Sequence, residues 1–338
     1  MDVPSADSVQ TKLLASAQMP VRHELNLPCV KLSPHAYDVE RATIEWMDAS
    51  GLVPDSHYLE KVMRMAVWGY AGFSHPFASR EELVLYAKYI TLWLLWDDVV
   101  VEKATDLSTV LHGMERAFDW DATRWSADDP YLHAWQSIVT GYKELGVSRD
   151  YVQRLNRKMV TWVKTVAREN HSVYGTGITS PWAHLRRRLV TIGVIPTAQL
   201  LDLSVGNVDR VPVAQRVVWT ASAVVAIVNE LVSMEKDAER VNLIALIQAW
   251  HPCDFESAYA RVVDVCRQEL AKLAALVGAL PPPLQGWGVR MRHMAEGFSY
   301  WHFVCPRYDR TRIDCRVPFP PPPVADPPAI EAVPAAMG

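Results

Sequence analysis

Between Leu83 and Trp96 the apolar residues Leu83, Leu85, Tyr86, Tyr89, Ile90, Trp93, Leu94 and Trp96 recur at three- and four-residue spacings, and the stripe runs straight into Asp97-Asp98. Such a pattern predicts a buried helix, and Ser79 followed by Glu82 predicts a capping box at its start. The acidic end is the constraint. Two adjacent carboxylates at the end of a buried helix repel one another and are costly to desolvate. A hard divalent cation removes that cost, because Mg²⁺ and Ca²⁺ prefer carboxylate oxygens. Glu102 stands four residues beyond Asp98 and shares its helix face if the helix continues. Taken alone, the acids are equally a helix end set against water.

A second apolar helix ends the same way. After Pro212 the residues Val217, Val218, Ala221, Val224, Val225, Val228 and Leu231 lead into Asn229, Ser233 and Asp237. Each step of four residues advances about 40° beyond a full turn, so the three oxygens are expected to form one slowly drifting stripe. An amide, a hydroxyl and a carboxylate in line suit a hard metal ion, and Lys236 beside them can neutralise an anion. A polar helix face gives the same spacing by chance. Further helices are expected over Tyr151–Glu169 and Pro283–Val304. Alternating β-branched strands bounded by Gly-rich turns are missing, and no fixed repeat is visible. The fold class is all-α, with ten or more helices around one core.

The chain of 338 residues, half of them hydrophobic, can bury a substantial core. A net charge of -4 gives no basic face for nucleic acid. Cysteines 29, 253, 266, 305 and 315 are odd in number and contain no CxxC pair, so neither a disulfide framework nor a zinc site is expected. The start lacks a secretory pattern, and the apolar stretch Val217–Val228 is too short to span a bilayer, which takes roughly 20 residues. A reduced, cytoplasmic protein is expected. Residues 1–24 are expected as a flexible arm, and the proline-rich 317–338 as a solvated polyproline-type tail that could also dock a partner. Thirteen Trp against seven Phe suit either core packing or the walls of a large apolar cavity.

A third cluster follows in YWHFVCPRYDRTR, where Trp301 precedes Arg307-Tyr308. Arg and Tyr both donate hydrogen bonds suited to phosphate oxygens. With this cluster in place, the chain resembles the bacterial class I terpene synthases (terpene cyclases) over roughly residues 25–312. The family's aspartate-rich motif, DDxxD or DDxxxE, reads here as Asp97-Asp98-Val-Val-Val-Glu102. Its NDxxSxxKE triad reads as Asn229-Glu230-Leu-Val-Ser233-Met-Glu-Lys236-Asp237. Its Arg-Tyr pair, some eighty residues on and shortly after a Trp, reads as Arg307-Tyr308. Each motif is weak alone; three in register are specific.

The resemblance implies a single helical domain over 25–316, the class I terpenoid synthase fold, around a deep apolar cavity. It implies a Mg²⁺-dependent carbon–oxygen lyase that ionises an acyclic prenyl diphosphate and cyclises the carbocation to a terpene hydrocarbon or alcohol. Farnesyl diphosphate is the first choice of substrate and geranylgeranyl diphosphate the second. Three Mg²⁺ ions are implied, held by Asp97, with Asp98 and Glu102 supporting, and by Asn229, Ser233 and Asp237. Lys236, Arg307 and Tyr308 would contact the diphosphate, Trp301 would offer its π face to the cation, and a homodimer would suit the family. The family's YLxxRRxTxG segment aligns with His184-Leu185-Arg186-Arg187-Arg188-Leu189-Val190-Thr191-Ile192-Gly193. Arg188 then senses the diphosphate, with Arg187 the alternative, and Gly193 marks a helix break facing the substrate. Three departures stand out: Asp237 where Glu is usual, Glu230 where Asp is usual, and Leu189 in place of the second Arg. The rival readings are a prenyl-chain elongating synthase, which normally carries two aspartate-rich motifs, and a non-catalytic helical scaffold or lipid-binding relative.

Overall fold

A computed structural model describes residues 21–22, 25–101, 106–121, 129–173, 180–204, 208–234, 241–308 and 313–314. Residues 1–20 of the expected arm and the whole of 317–338 lie outside these. Among the described residues there are thirteen α-helices. In chain order they are α1 (Ala36–Ala49), α2 (Ser56–Arg64), α3 (Val67–Ser74), α4 (Arg80–Trp96), α5 (Leu107–Ala117), α6 (Pro130–Glu144) and α7 (Arg149–Val173). Then come α8 (Pro181–Thr191), α9 (Val194–Ala198), α10 (Pro212–Val232), α11 (Leu243–Trp250), α12 (Phe255–Gly278) and α13 (Gln285–Val304).

Helix α4 starts as its sequence requires. Ser79 Oγ accepts from the Glu82 amide at 3.2 Å, while Glu82 Oε2 accepts from the Ser79 amide at 2.8 Å. The capping box satisfies two donors that a helix start leaves open. The helix is then buried on nearly every face from Leu83 to Trp96, as a central helix must be. It packs on α1, α3 and α6. Helix α10 is the second central rod. Pro212 opens it at a position where a missing N–H costs nothing, and its last eleven residues are all buried. It packs on α8, α12 and α13, and α13 in turn packs on α3.

The helix expected from Tyr151 begins two residues earlier, at Arg149, with Ser148 Oγ accepting from the Tyr151 amide. The helix expected from Pro283 begins at Gln285, because Pro282–Leu284 forms a 3₁₀ turn first; successive prolines cannot donate to an α-helical ladder. One small pairing was not expected. Val21–Arg22, within the span read as a flexible arm, pairs in parallel with Ile313–Asp314. Cys29, Cys253 and Cys266 are free thiols, and the Cys305 thiol donates to the Met65 carbonyl at 3.3 Å. No helix among the described residues is long and apolar enough to cross a membrane. Trp162, Trp287 and Trp301 are among the largest fully buried side chains, so packing accounts for part of the tryptophan excess.

Helices α13 and α3 approach closely at Gly297. A Cβ placed on Gly297 would lie 2.0 Å from the Phe73 carbonyl oxygen, a backbone atom that cannot swing aside. Gly297→Ala is therefore expected to destabilise the protein by about 1–3 kcal/mol, the usual cost of overpacking. Denaturant unfolding followed by circular dichroism reads this; an unchanged midpoint would show that the two helices separate freely.

Candidate active site

Asp97 caps α4, and the chain continues from it as a widened π-helical turn over Asp97–Val101. Such turns are rare and occur often at functional sites. The turn changes the register in which Asp98 and Glu102 were expected to share an α-helical face, and Glu102 itself lies outside the described residues. Carboxylates at a helix C-terminus meet the negative end of its dipole as well as each other. Side-chain cations answer this at Asp98. Lys61 Nζ, from α2, lies 2.8 Å from Asp98 Oδ2, and Arg307 Nη2 lies 3.5 Å from Oδ1.

The end of α10 is built around Glu230, whose residue is 3 % exposed. Arg188 Nε donates to Oε1 at 2.7 Å. Oε2 accepts from the Leu243 amide at 2.7 Å and lies 3.1 Å from His184 Nε2. Burial by itself would raise this carboxyl. His184, Arg188 and the Leu243 amide outweigh burial and hold it down at about 2. Arg188 also reaches forward: Nη2 donates to Asn229 Oδ1 at 2.6 Å, and Nη1 to Thr191 Oγ1 at 3.1 Å. Asn229 Nδ2 donates to the Tyr308 hydroxyl at 3.2 Å. Arg307 on Asp98 and its neighbour Tyr308 on Asn229 therefore bring the ends of α4, α8 and α10 together.

The expected stripe of Asn229, Ser233 and Asp237 extends only to Ser233 on the helix. Helix α10 stops at Val232, with Ser233 as its cap. The Glu230 carbonyl accepts from Asn242 Nδ2 at 2.8 Å, so the following helix holds a carbonyl in α10's last turn. Asn242 also caps α11, its Oδ1 accepting from the Ile244 amide. Lys236 and Asp237 lie outside the described residues, on a segment whose far end, Asn242-Leu243, is tied back to Glu230.

Of the two candidate arginines it is Arg188 that contacts Asn229 and Glu230. Gly193 sits between α8 and α9 at φ +78°, the left-handed region open to glycine. A Cβ there would lie 1.3 Å from Trp93 Cη2, so the break lets the Trp93 ring cross over the backbone. Trp162 Nε1 donates to the Thr191 carbonyl at 2.9 Å, taking an acceptor that the ended helix leaves open. Trp301 is fastened by its indole N–H to the Met65 carbonyl at 3.0 Å. Its ring packs edge-on against Tyr70 at 4.6 Å and Tyr308 at 6.1 Å. His302 stacks on Tyr308; burial first, then Arg307 and Arg188, lower it to about 3, which keeps the imidazole uncharged.

Reading the sequence missed Lys61 and the weight carried by Glu230. Glu230 had a signal: a lone carboxylate deep in an apolar helix needs a cation, and Arg186-Arg187-Arg188 was a ready source. Lys61 had none, since 37 positions separate it from Asp98. Among the described residues no three His, Cys, Asp or Glu side chains gather as a metal cage. The oxygen-only set of Asp97, Asp98, Asn229 and Ser233 nevertheless has the donor chemistry of a hard cation.

Residues 88–272 match the family described as terpene synthase family 2, C-terminal metal binding. A (+)-corvol ether synthase of Kitasatospora setae, described as cyclising (2E,6E)-farnesyl diphosphate, is 27 % identical over 79 % of this chain and 88 % of its own. A (12E)-labda-8(17),12,14-triene synthase of Streptomyces anulatus is 25 % identical over 82 % of this chain and 90 % of its own. Among solved structures, a linalool/nerolidol synthase from Streptomyces clavuligerus superposes with a TM-score of 0.72 at 20 % identity, over 82 % of this chain and all of that one. The 2-methylisoborneol synthase of Streptomyces coelicolor, in complex with Mg²⁺ and 2-fluoroneryl diphosphate, superposes with a TM-score of 0.70 at 19 % identity, over 82 % of this chain and 96 % of that one.

Because Glu230 is depressed from 4.5 to about 2, the folded state gains stability from it above pH 4.5 and loses that gain as pH falls toward 2. Glu230→Gln is expected to cost about 3–5 kcal/mol at neutral pH, since it strands Arg188 and His184. The gap between variant and wild type is expected to narrow below pH 4.5. Melting curves across pH check this, and a gap constant down to pH 3 would contradict it.

Proposed function

The chain belongs to the terpene synthase family, and on that premise we propose that it is a Mg²⁺-dependent lyase that ionises an acyclic prenyl diphosphate and cyclises the carbocation. The observation that carries this reading is the linked set of Asp98, Arg307, Tyr308, Asn229 and Arg188. It joins acids, amide and cations from helices far apart in sequence. A helix scaffold has no use for two acidic helix ends held together by arginines.

In this reading Asp97, Asp98 and Glu102 hold Mg²⁺ on one side of the site, and Asn229, Ser233 and Asp237 on the other. Three ions are proposed. Bound there, Mg²⁺ supplies charge stabilisation to the departing diphosphate. Arg188, Arg307, Lys236 and the Tyr308 hydroxyl bind and orient the diphosphate oxygens. The allylic C–O bond breaks with its electron pair leaving on the diphosphate, and the carbocation closes on a double bond of its own chain. Loss of a proton, or capture of water, ends the reaction. The chain's aromatic residues exclude water from the cation; Trp301, locked by its N–H, keeps its ring in one orientation. Gly193 and the Trp93 ring beside it shape the wall where the diphosphate-binding helix breaks. Farnesyl diphosphate is the proposed substrate, with geranylgeranyl diphosphate next; the relative from Kitasatospora supports the former.

Purified protein incubated with C10, C15, C20 and C25 prenyl diphosphates, with Mg²⁺ or EDTA, and read by gas chromatography–mass spectrometry tests the proposal. A cyclic product from the C15 substrate, present only with Mg²⁺, is expected. Asp97→Ala is expected to lose at least 10²-fold in turnover while keeping its helical circular dichroism, a loss typical for removing electrostatic stabilisation of a leaving charge. Wild-type turnover in that variant would overturn the metal assignment, and no product from any substrate would favour a non-catalytic role.

A further inference from the structure

Within helix α2 only Val62 is buried, so little apolar packing sets its position. Its C-terminal end is gripped instead by α13 and the residues after it. Trp301 Nε1 donates to the Met65 carbonyl at 3.0 Å and lies 3.2 Å from that of Ala66, and the Cys305 thiol donates to the Met65 carbonyl at 3.3 Å. Arg64 Nη2 donates to the Pro306 carbonyl at 3.4 Å. The first three contacts take carbonyls that a helix end leaves open. Ala66 stands at φ +45°, uncommon for a residue with a side chain, where the chain turns from α2 into α3. Lys61, one turn before Arg64, reaches the other half of the site: its Nζ lies 2.8 Å from Asp98 Oδ2. Tyr58, a further turn back, shares a hydrogen bond with the Tyr131 hydroxyl of α6 at 3.1 Å. One face of α2 therefore touches the end of α4, the start of α6 and the segment that carries Arg307.

Asp98 has a cation beside each oxygen, Lys61 at Oδ2 and Arg307, 3.5 Å away, at Oδ1. A divalent cation that binds this carboxylate must take an oxygen from one of them. The two differ in how readily they give way. The Arg307 side chain is 12 % exposed and that of Lys61 42 %. An ammonium is a compact, strongly hydrated charge on a flexible stem, so water receives it well when it leaves. Exposed ion pairs are worth little net. Mg²⁺ carries twice the charge and coordinates carboxylate oxygen directly. Lys61 is thus the partner that yields. While it stays, it both occupies Oδ2 and repels an incoming divalent ion.

Resting on the reading that Asp97 and Asp98 belong to a Mg²⁺ site, we propose that Lys61 is a positioning residue that holds Asp98 as its counter-ion in the metal-free protein and competes with Mg²⁺ for that carboxylate. Helix α2 then sets how tightly the site takes its metal. Trp301 and Cys305 serve the same end, because by fixing the end of α2 they fix where the ammonium stands.

The test uses the full chain with Mn²⁺ as the probe and no diphosphate, the free ion being counted by electron paramagnetic resonance. Lys61→Gln is expected to tighten Mn²⁺ about two- to fivefold, the range that an exposed ion pair spans. Lys61→Arg, which keeps the charge, is expected to return to wild-type affinity. Mn²⁺ held by Lys61→Gln and not by the wild type is the same result in its extreme form. Circular dichroism checks that both variants stay helical. A merely structural Lys61 would weaken Mn²⁺ binding on removal or leave it alone, and either result overturns the proposal, as does equal tightening in Lys61→Arg. Mn²⁺ held by none of the three chains would overturn both this role and the metal site it rests on. A turnover arm separates the two: with the C15 diphosphate, Lys61→Gln is expected to reach half its maximal rate at a lower Mg²⁺ concentration than the wild type. A Mn²⁺ difference without turnover in any chain would remove the lyase reading and support the role of Lys61. Turnover in all three at equal Mn²⁺ affinity would remove that role and keep the lyase.

Discussion

The buried pair of Glu230 and Arg188 is the interaction on which the rest of the site depends. A carboxylate this deep in an apolar helix is tolerable only if charged and hydrogen-bonding partners surround it. Here each partner comes from a different element: Arg188 and His184 from α8, the Leu243 amide from α11. The pair thus fixes the mutual positions of three helices. It also spends only part of the guanidinium. Nε is given to Glu230, and Nη2 remains to orient Asn229. A lysine could not divide its contacts in this planar way.

The same geometry explains where the chain stops being helical. Helices α4 and α10 are both buried almost to their ends, and both end in polar residues. Neither end is left to water. At α4 the backbone widens into a π-helical turn, with Lys61 and Arg307 set against Asp98. At α10 the Asn242 side chain takes the Glu230 carbonyl, and the helix stops at Val232, between Asn229 and Ser233. Side-chain oxygens thereby come to lie at helix ends, where the backbone can adjust, while the apolar bodies of the two helices stay rigid in the core.

Aromatic packing supplies the second kind of rigidity. Trp93 packs edge to face on Trp162 and Trp96 packs tilted on it, beside the break at Gly193, and Tyr70, Phe298, Trp301 and Tyr308 form a second group behind the Arg-Tyr pair. Indole N–H groups of both groups donate to backbone carbonyls at chain breaks, those of Thr191 and Met65. The rings are therefore oriented by hydrogen bonds as well as by contact, which holds the site's frame still.

The sequence by itself determined the helical class, the two buried helices, the capping box at Ser79, and which residue types stand at the helix ends. These follow from local periodicity and from the chemistry of neighbouring residues, which short stretches of chain contain. Asp97-Asp98, Asn229 and Ser233 were legible in that way, as polar residues at the ends of apolar helices, and Arg307-Tyr308 as a phosphate-suited pair shortly after Trp301. Arg188 was favoured over Arg187 by its alignment with Thr191 and Gly193, but its contacts with Glu230 and Asn229 were not legible, because three consecutive arginines point around a helix. The early end of α10 was not legible either, since the residue that takes its carbonyl, Asn242, lies on the next helix. Nor was Lys61 beside Asp98 legible, because the two lie on elements remote in sequence. Tertiary structure alone decided these, because burial and charge pairing are properties of distance in space, and the chain encodes only distance along itself.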